Sequence, residues 1–344
     1  MGRKVTQREI ARIAGVSQAT VSLVLNDRDF SNVRIPEATR ERVRRAIEQT
    51  AYVADPAARR LAGLDNKIIG VFTYEPALSH ESMDFYGPLL NGLEQGAERL
   101  GCDLLFFTSS PVVDGKRRMF DKRTRLRLAD GCILLGQEMD GDELRKLVDE
   151  GVPFVAVGRR DEPDVPYVGI DYRTLVAELV DSVAELGHRG AAYVHLGRTS
   201  PSSVDRLAGI EQARSRSAMP VTLIDVSQQP LPAVAETIAA SGLTAVVAQD
   251  SFVAEALAHE LGERGVSVPR EISLAVAGEV EGHAVAGHRL SGCHLPRIEI
   301  AGEALAVLQQ LIGGAEPPSD VDTRVLLSGS VVPGETLVRP EAVR

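Results

Sequence analysis

The sequence predicts a small N-terminal all-α helix-turn-helix domain, followed by an α/β body of two lobes built on parallel sheets. Three observations predict it. The first sixty residues hold a capped helix, a Gly-containing turn and a second capped helix. From Lys67 onward, short apolar runs alternate with amphipathic helical periods, the pattern of strands covered by helices. The charge is also divided. Residues 1–60 carry twelve Lys/Arg against seven Asp/Glu, a net of +5 in a chain whose total is −10, which leaves −15 for the rest. A basic module on an acidic body is expected where one end alone meets phosphate.

Thr6-Gln7-Arg8-Glu9 has the form of a capping box, in which Thr6 accepts from the Glu9 N–H and Glu9 reaches back. Ile10, Ile13 and Ala14 then share one helical face. Gly15 suits the left-handed stop of a tight turn, and Val16 plugs the corner. Ser17 caps a second helix running to about Asn26, with Val21, Val24 and Leu25 inward and Gln18, Ala19, Ser22 and Leu23 outward. Together these form the helix-turn-helix plan. A third helix, Glu37–Thr50, follows Pro36 and turns Val43, Ala46 and Ile47 inward. Asp55-Pro56 then opens a short helix that Gly63 stops. At about two turns it is marginal alone in water.

In the body the predicted strands are Ile68–Tyr74, Leu104–Thr108, Gly131–Leu135, Phe154–Val157, Ala191–Leu196, Val221–Val226, Ala245–Ala248, Ile272–Ala277 and, near the end, Val325–Val332. The predicted helices are Gly87–Leu100, Lys116–Leu128, Asp142–Glu150, Arg173–Leu186, Val204–Arg214, Leu231–Ala240 and Phe252–Arg264. These are too many units for one ordinary sheet, so two lobes with a ligand cleft at the carboxyl ends of the strands are expected. Aromatic residues are only 4% of the chain and Trp is absent. Tyr74, Phe85, Tyr86 and Phe252 near the predicted cleft loops are therefore candidates to lie against a ligand, with core packing as the default for Phe.

The run from Val5 to Asn26, with Thr39-Arg40-Glu41-Arg42-Val43, Tyr52 and Asp55–Gly63, resembles the opening of the lactose-repressor/purine-repressor (LacI/GalR) family. Leu186-Gly187-His188-Arg189, Asp205–Ile210, Gly265–Ser273 and His294-Leu295-Pro296 extend the resemblance through the body. It implies a periplasmic-binding-protein-like fold with three crossovers between lobes, and a sequence-specific repressor whose operator affinity responds to a small molecule, a sugar or related metabolite being favoured. It also implies a homodimer on pseudo-palindromic double-stranded operator DNA, with recognition helices in successive major grooves and paired hinge helices in the minor groove. The matching divisions are 1–53 for the headpiece, 54–66 for the hinge and 67–344 for the body. The lobes are roughly 67–160 plus 295–325, and 161–294 plus 326–344.

Carried over residue by residue, the DNA contacts fall on Thr6, Gln7, Ser17, Gln18, Ala19, Thr20, Ser22, Leu23, Asn26, Ala58, Arg59 and Leu61, with Leu61 as the wedge at the central base step. Gln18 can bond an adenine edge bidentately, while Ala19 and Leu23 offer only apolar contact. The loop from Asp27 to Ile35 is longer than in the family's best-known members. The effector contacts fall on Tyr74, Phe85, Tyr86, Asp171, Arg206, Gln249 and Asp250. Arg206 matches the family's effector arginine, and its planar fork suits vicinal hydroxyls or a carboxylate. Asp250 either accepts from the ligand or caps the next helix, and Asp171 is balanced between the same two roles. Gln249 keeps an amide where the family usually has asparagine. Where the family often has Asp, the chain reads Ala277-Gly278-Glu279, so Glu279 substitutes or the contact is absent.

Other classes are disfavoured. No P-loop, G-x-S-x-G elbow or H-E-x-x-H appears, so no enzyme, catalytic residue or cofactor is expected. His283, His288, Cys293 and His294 fit no standard zinc spacing, so no metal is expected. The three cysteines are expected as free thiols in a reducing cytoplasm. No apolar run reaches membrane length, and the first residues lack a secretory h-region.

Overall fold

A computed structural model describes residues 5–25, 35–50, 66–79, 82–113, 115–120, 125–197, 200–217, 219–313 and 322–341. The chain divides into two compact units, the first running to Ile68 and including Arg127–Asp130, the second holding the rest, and they are described in turn. Three helices make the N-terminal unit: α1 (Gln7–Ala14), α2 (Gln18–Leu25) and α3 (Glu37–Thr50). Thr6 caps α1 by accepting from the Glu9 N–H, and Gly15 ends it at φ 64° and ψ 41°. Ser17 Oγ accepts from the Thr20 N–H at 3.1 Å and so starts α2. Ile10, Ala11, Ala14, Val21, Val24, Val43 and Ala46 are buried together. Ile13, expected inward, is 43% exposed. The buried stripe of α1 runs through Ala11 rather than Ile13, because small side chains at 11 and 14 let the helices approach.

The body contains two six-stranded sheets. The first is built from β1 (Ile68–Thr73), β2 (Asp103–Phe106), β5 (Gly131–Leu135), β6 (Phe154–Val157), β7 (Tyr167–Ile170) and β15 (Arg324–Leu327), in the order β15-β7-β6-β5-β1-β2. The second holds β8 (Ala191–His195), β9 (Val221–Asp225), β10 (Ala245–Ala248), β11 (Ser273–Glu279), β14 (Ser291–His294) and β16 (Ser330–Val332), in the order β16-β14-β11-β10-β8-β9. β3 (Val112–Val113) with β4 (Lys116–Arg117), and β12 (Ala284–Val285) with β13 (His288–Arg289), form two small antiparallel ribbons. The helices are α4 (Met83–Leu100), α5 (Gly141–Asp149), α6 (Tyr172–Glu185), α7 (Pro201–Arg216), α8 (Leu231–Ala240), α9 (Ser251–Glu263) and α10 (Arg297–Gly313). The central strands are buried on both faces, as parallel strands under helices must be.

The chain crosses between the sheets three times: after β7, after β14 and between β15 and β16. Several expectations are corrected here. β7 lies in the first sheet, so the first lobe extends past residue 160, and Leu326 and Leu327 stay in it as well. Val325–Val332 is two strands in different sheets. Gly329 sits at the break, where a Cβ would lie 2.7 Å from Leu175 and 2.8 Å from the His294 carbonyl. β16 also runs antiparallel to β14, so the second sheet is not purely parallel.

Lys116–Leu128 is not one helix. Its described part is β4 and a 3-10 turn at Leu126–Leu128. Lys116 pairs with Glu138 and Arg118 with Asp140, while Arg117 donates to Thr73 Oγ1 at 2.5 Å. Three consecutive cations thus go to three separate acceptors, which an extended chain with alternating side-chain directions allows.

Close helix contacts rest on glycine. A Cβ on Gly209 of α7 would lie 2.6 Å from the Arg173 carbonyl and 3.0 Å from Val176 on α6. Gly209→Val is expected to force the two helices apart and cost about 2–4 kcal/mol. Gly262 of α9 has nothing within 4 Å of a built Cβ, so Gly262→Ala should stabilise by roughly 0.5–1 kcal/mol through helix propensity. Thermal denaturation of both variants checks the contrast. Equal melting temperatures would show that the α6–α7 contact is not tight.

Candidate functional site

On α2, Ser17, Gln18 and Ala19 are exposed, while Thr20, Ser22 and Leu23 are half-buried. On α1, Thr6 is exposed and Gln7 half-buried. Thr6, Gln7 and Ser17–Thr20 sit where α1 and α2 begin, so N–H groups not used within the helices accompany them, and Ser22 and Leu23 lie a turn further along α2. Asn26, Ala58, Arg59 and Leu61 lie outside the described residues.

In the body a cleft of about 710 Å³ opens between the lobes. It is walled by the carboxyl ends of β5, β6 and β7 from the first sheet, by residues following β10 and β11 of the second, and by the first turns of α4, α7, α9 and α10. Arg206 projects from the first turns of α7 and is only 8% exposed. Its Nε donates to the Ala277 carbonyl at 2.9 Å and its Nη1 to the Ser202 carbonyl at 3.1 Å. Its guanidinium lies 3.6 Å from the centre of the Tyr172 ring. A flat cation on a ring face gains electrostatic attraction and a fixed orientation.

Of the other expected effector residues, Phe85, Tyr86, Gln249 and Asp250 line this cleft. Tyr86 donates to Glu75 at 2.6 Å and packs edge-on to Phe85. Burial first, and Glu75 second, push the Tyr86 phenol well above its ordinary range. Gln249 is buried, and its side-chain oxygen accepts from the Leu196 N–H at 3.2 Å. Asp250 both faces the cleft and caps α9, accepting from Val253.

Two expectations are corrected. Tyr74 is 1% exposed and does not reach the cleft wall. It packs edge-on to Phe72 at 5.1 Å and stands behind Gly136, whose Cβ would meet it at 3.0 Å. Asp171 is not part of the cleft wall. It caps α6 by accepting from Thr174, and Tyr172 faces the cleft in its place. Phe252 lines the cleft, 59% exposed.

Sequence reasoning missed further cleft residues. Arg159, after β6, reaches across the lobes to Asp205 on α7 at 2.6 Å, with both side chains about four-fifths buried. Arg160 is buried and donates to the Gly136 and Val157 carbonyls. Arg297, at the start of α10, lies 5.0 Å from the Phe85 ring and donates to the Asp84 carbonyl. The only available signal was position: Arg297 directly follows His294-Leu295-Pro296, and Ser200–Ser203 precede Arg206.

The His/Cys group is dispersed among separate partners. Cys293 is buried, and burial pushes its thiol up to about 12, the state of an inert cysteine. His283 shares a hydrogen bond with Glu255 at 2.8 Å. Glu279, Glu281 and His294 bring ligand atoms within 4.8 Å. However, Glu279 already accepts from the N–H groups of Val280, Glu281 and Leu295, so its carboxylate is satisfied without an ion.

Among known proteins, residues 6–55 match the family described as bacterial regulatory proteins, lacI family, and residues 180–337 match the periplasmic binding protein-like domain. The transcriptional regulator AscG of Escherichia coli is 25% identical over 97% of this chain and 99% of its own. The regulator CelR of Thermobifida fusca is 29% identical over 63% of each chain. The lac repressor dimer bound to operator and an anti-inducer superimposes with a TM-score of 0.71 at 20% identity, covering 98% of this chain and all of that one. The CelR–cellobiose complex superimposes at 0.58 with 24% identity, covering 96% and 99%. Among the described residues no helix is long and apolar enough to cross a membrane.

Proposed function

As the chain belongs to the LacI/GalR family of DNA-binding transcriptional regulators, we propose that it is a repressor whose operator affinity is set by a small molecule bound between its lobes. The observation that carries the reading is Arg206, buried on the cleft wall and stacked on Tyr172, with Nη2 bonded to no described residue. A sugar or related metabolite suits the mixed aromatic and polar wall. CelR, a relative, has been solved with cellobiose.

In this reading residues 1–53 form the headpiece, 54–66 a hinge and 67–344 the body, acting as a cytoplasmic homodimer on a pseudo-palindromic site. Thr6, Gln7, Ser17–Thr20, Ser22, Leu23 and Asn26 meet the major groove, and Ala58, Arg59 and Leu61 the minor groove. Phe85, Tyr86, Arg206, Gln249 and Asp250 meet the effector. A change in lobe angle alters the spacing of the two body N-termini, which biases whether the hinges pair. Effector and operator are then linked by a reciprocal coupling of about 1–3 kcal/mol.

Gel shifts with genomic fragments, followed by a panel of sugars and nucleosides, test this. One fragment class is expected to be retained far above random DNA, and one ligand class to alter that retention. Uniform retention of all fragments, or monomers only in sedimentation with operator present, would refute it.

A further inference from the structure

Three guanidinium groups line the cleft with no carboxylate within 4.0 Å among the described residues: Arg160, Arg206 and Arg297. Their protein acceptors are backbone carbonyls, and Arg206 and Arg297 also lie against the Tyr172 and Phe85 rings. Carbonyls and ring faces orient a cation but do not neutralise it. Burial pulls Arg160 down to about 10 and lowers Arg297 as well, and the acids near them, Glu162 and Glu75 for Arg160 and Glu279 and Asp84 for Arg297, offset this only in part.

The less exposed acids on the same walls are already engaged. Asp205 is paired with Arg159 at 2.6 Å. Asp250 caps α9. Glu279 holds three backbone N–H groups and faces His294 at 3.5 Å. Asp84, Glu281 and Glu299 are exposed. Solvent screens these three exposed acids, so the more buried part of the wall offers more charged donors than free acceptors, and a neutral polyol would add no close counter-charge there.

We propose that the effector carries an oxyanion, a phosphate or a carboxylate, held jointly by Arg206 and Arg297. The proposal rests on the cleft being the effector site. Arg206 comes from the second lobe, while Arg297 begins α10, which packs on α4 of the first. An acceptor-only group gripped by two planar forks thus ties the lobes together. Arg297 becomes a specificity residue that separates charged from neutral sugars.

The test uses the full chain at matched ionic strength, titrated with inorganic phosphate, glucose 6-phosphate, gluconate and glucose, and read by calorimetry and thermal shift. Phosphate and at least one sugar anion are expected to bind saturably, the glucose 6-phosphate and gluconate arms separating phosphate from carboxylate. Arg297→Gln should weaken anion binding at least about tenfold, and Arg297→Lys less. Circular dichroism checks that the variants fold. The proposal is overturned by the absence of a saturable phosphate response, or by a response that Arg297→Gln leaves unchanged. Glucose binding that depends on Arg206 but not on Arg297 would keep the cleft as the effector site and remove the anion.

Discussion

Val21→Asp is expected to abolish operator recognition outright. Val21 is fully buried in a core of seven residues shared by α1, α2 and α3. A unit this small has only a few kcal/mol of stability. An unpaired carboxylate in that core costs several kcal/mol, whether it stays charged or takes up a proton. The cost exceeds the reserve, so the three helices should unfold together. Circular dichroism should show the lost helix, and gel shifts should show no fragment preferred over random DNA. The body's melting transition should stay in place, because the body is held by buried cores of its own. Gln18→Ala is the contrasting variant. Gln18 is exposed, so the fold should survive while base preference relaxes by about 1–3 kcal/mol, if its contact is bidentate. Specific binding that persists in Val21→Asp would show that the core tolerates a charge, and the account of the headpiece would be wrong.

Arg206→Ala is expected to remove the response to effector. The change deletes a fork that already holds the Ala277 and Ser202 carbonyls and covers Tyr172. Two carbonyls then lose a charged donor, and the body should lose about 1–3 kcal/mol of stability. Any ligand that raises the wild-type melting temperature through this site should lose a hundredfold or more in affinity, since its charged contact and the orientation of Tyr172 disappear together. Effector-free operator affinity should change little. Arg206→Lys keeps the charge without the fork and should recover only part of the binding. If a ligand shifts wild type and Arg206→Ala equally, the effector site lies elsewhere.

Much of this was legible in the sequence because the signals were local. Thr6, Gly15 and Ser17 punctuate helices by their own chemistry, and the structure uses each as cap or stop. Gly131–Leu135, Leu231–Ala240 and Ala245–Ala248 have the predicted bounds. What could not be read depends on distant partners. β7 is four residues between Pro166 and Asp171, too short to show a period. The basic run at Lys116 has helical composition, but Glu138, Asp140 and Thr73 hold it extended. Tyr74 was placed at the right strand end, but which way its ring faced depended on Phe72 and Gly136. Arg297 and Arg159 belong to the cleft only because chain crossovers set the start of α10 and the end of β6 on the same cleft wall as the first turns of α7, and no spacing encodes that.

The three crossings also set the order in which the molecule can be made. β1, the first body strand, sits in a sheet whose edge strand β15 pairs Arg324 with Tyr167 near the end of the chain. The same sheet is covered by α10, which packs on α4, β5, β6 and β7. A ribosome that has just finished β14 has therefore delivered the second sheet apart from β16, while the first still lacks its edge and one helical layer. Apolar strands translated earliest wait longest for cover, the interval in which a nascent chain is most exposed to aggregation and to chaperones. Both lobes are closed only by the last two strands of the chain, β15 and β16, and the lobe translated first has waited longer for its cover.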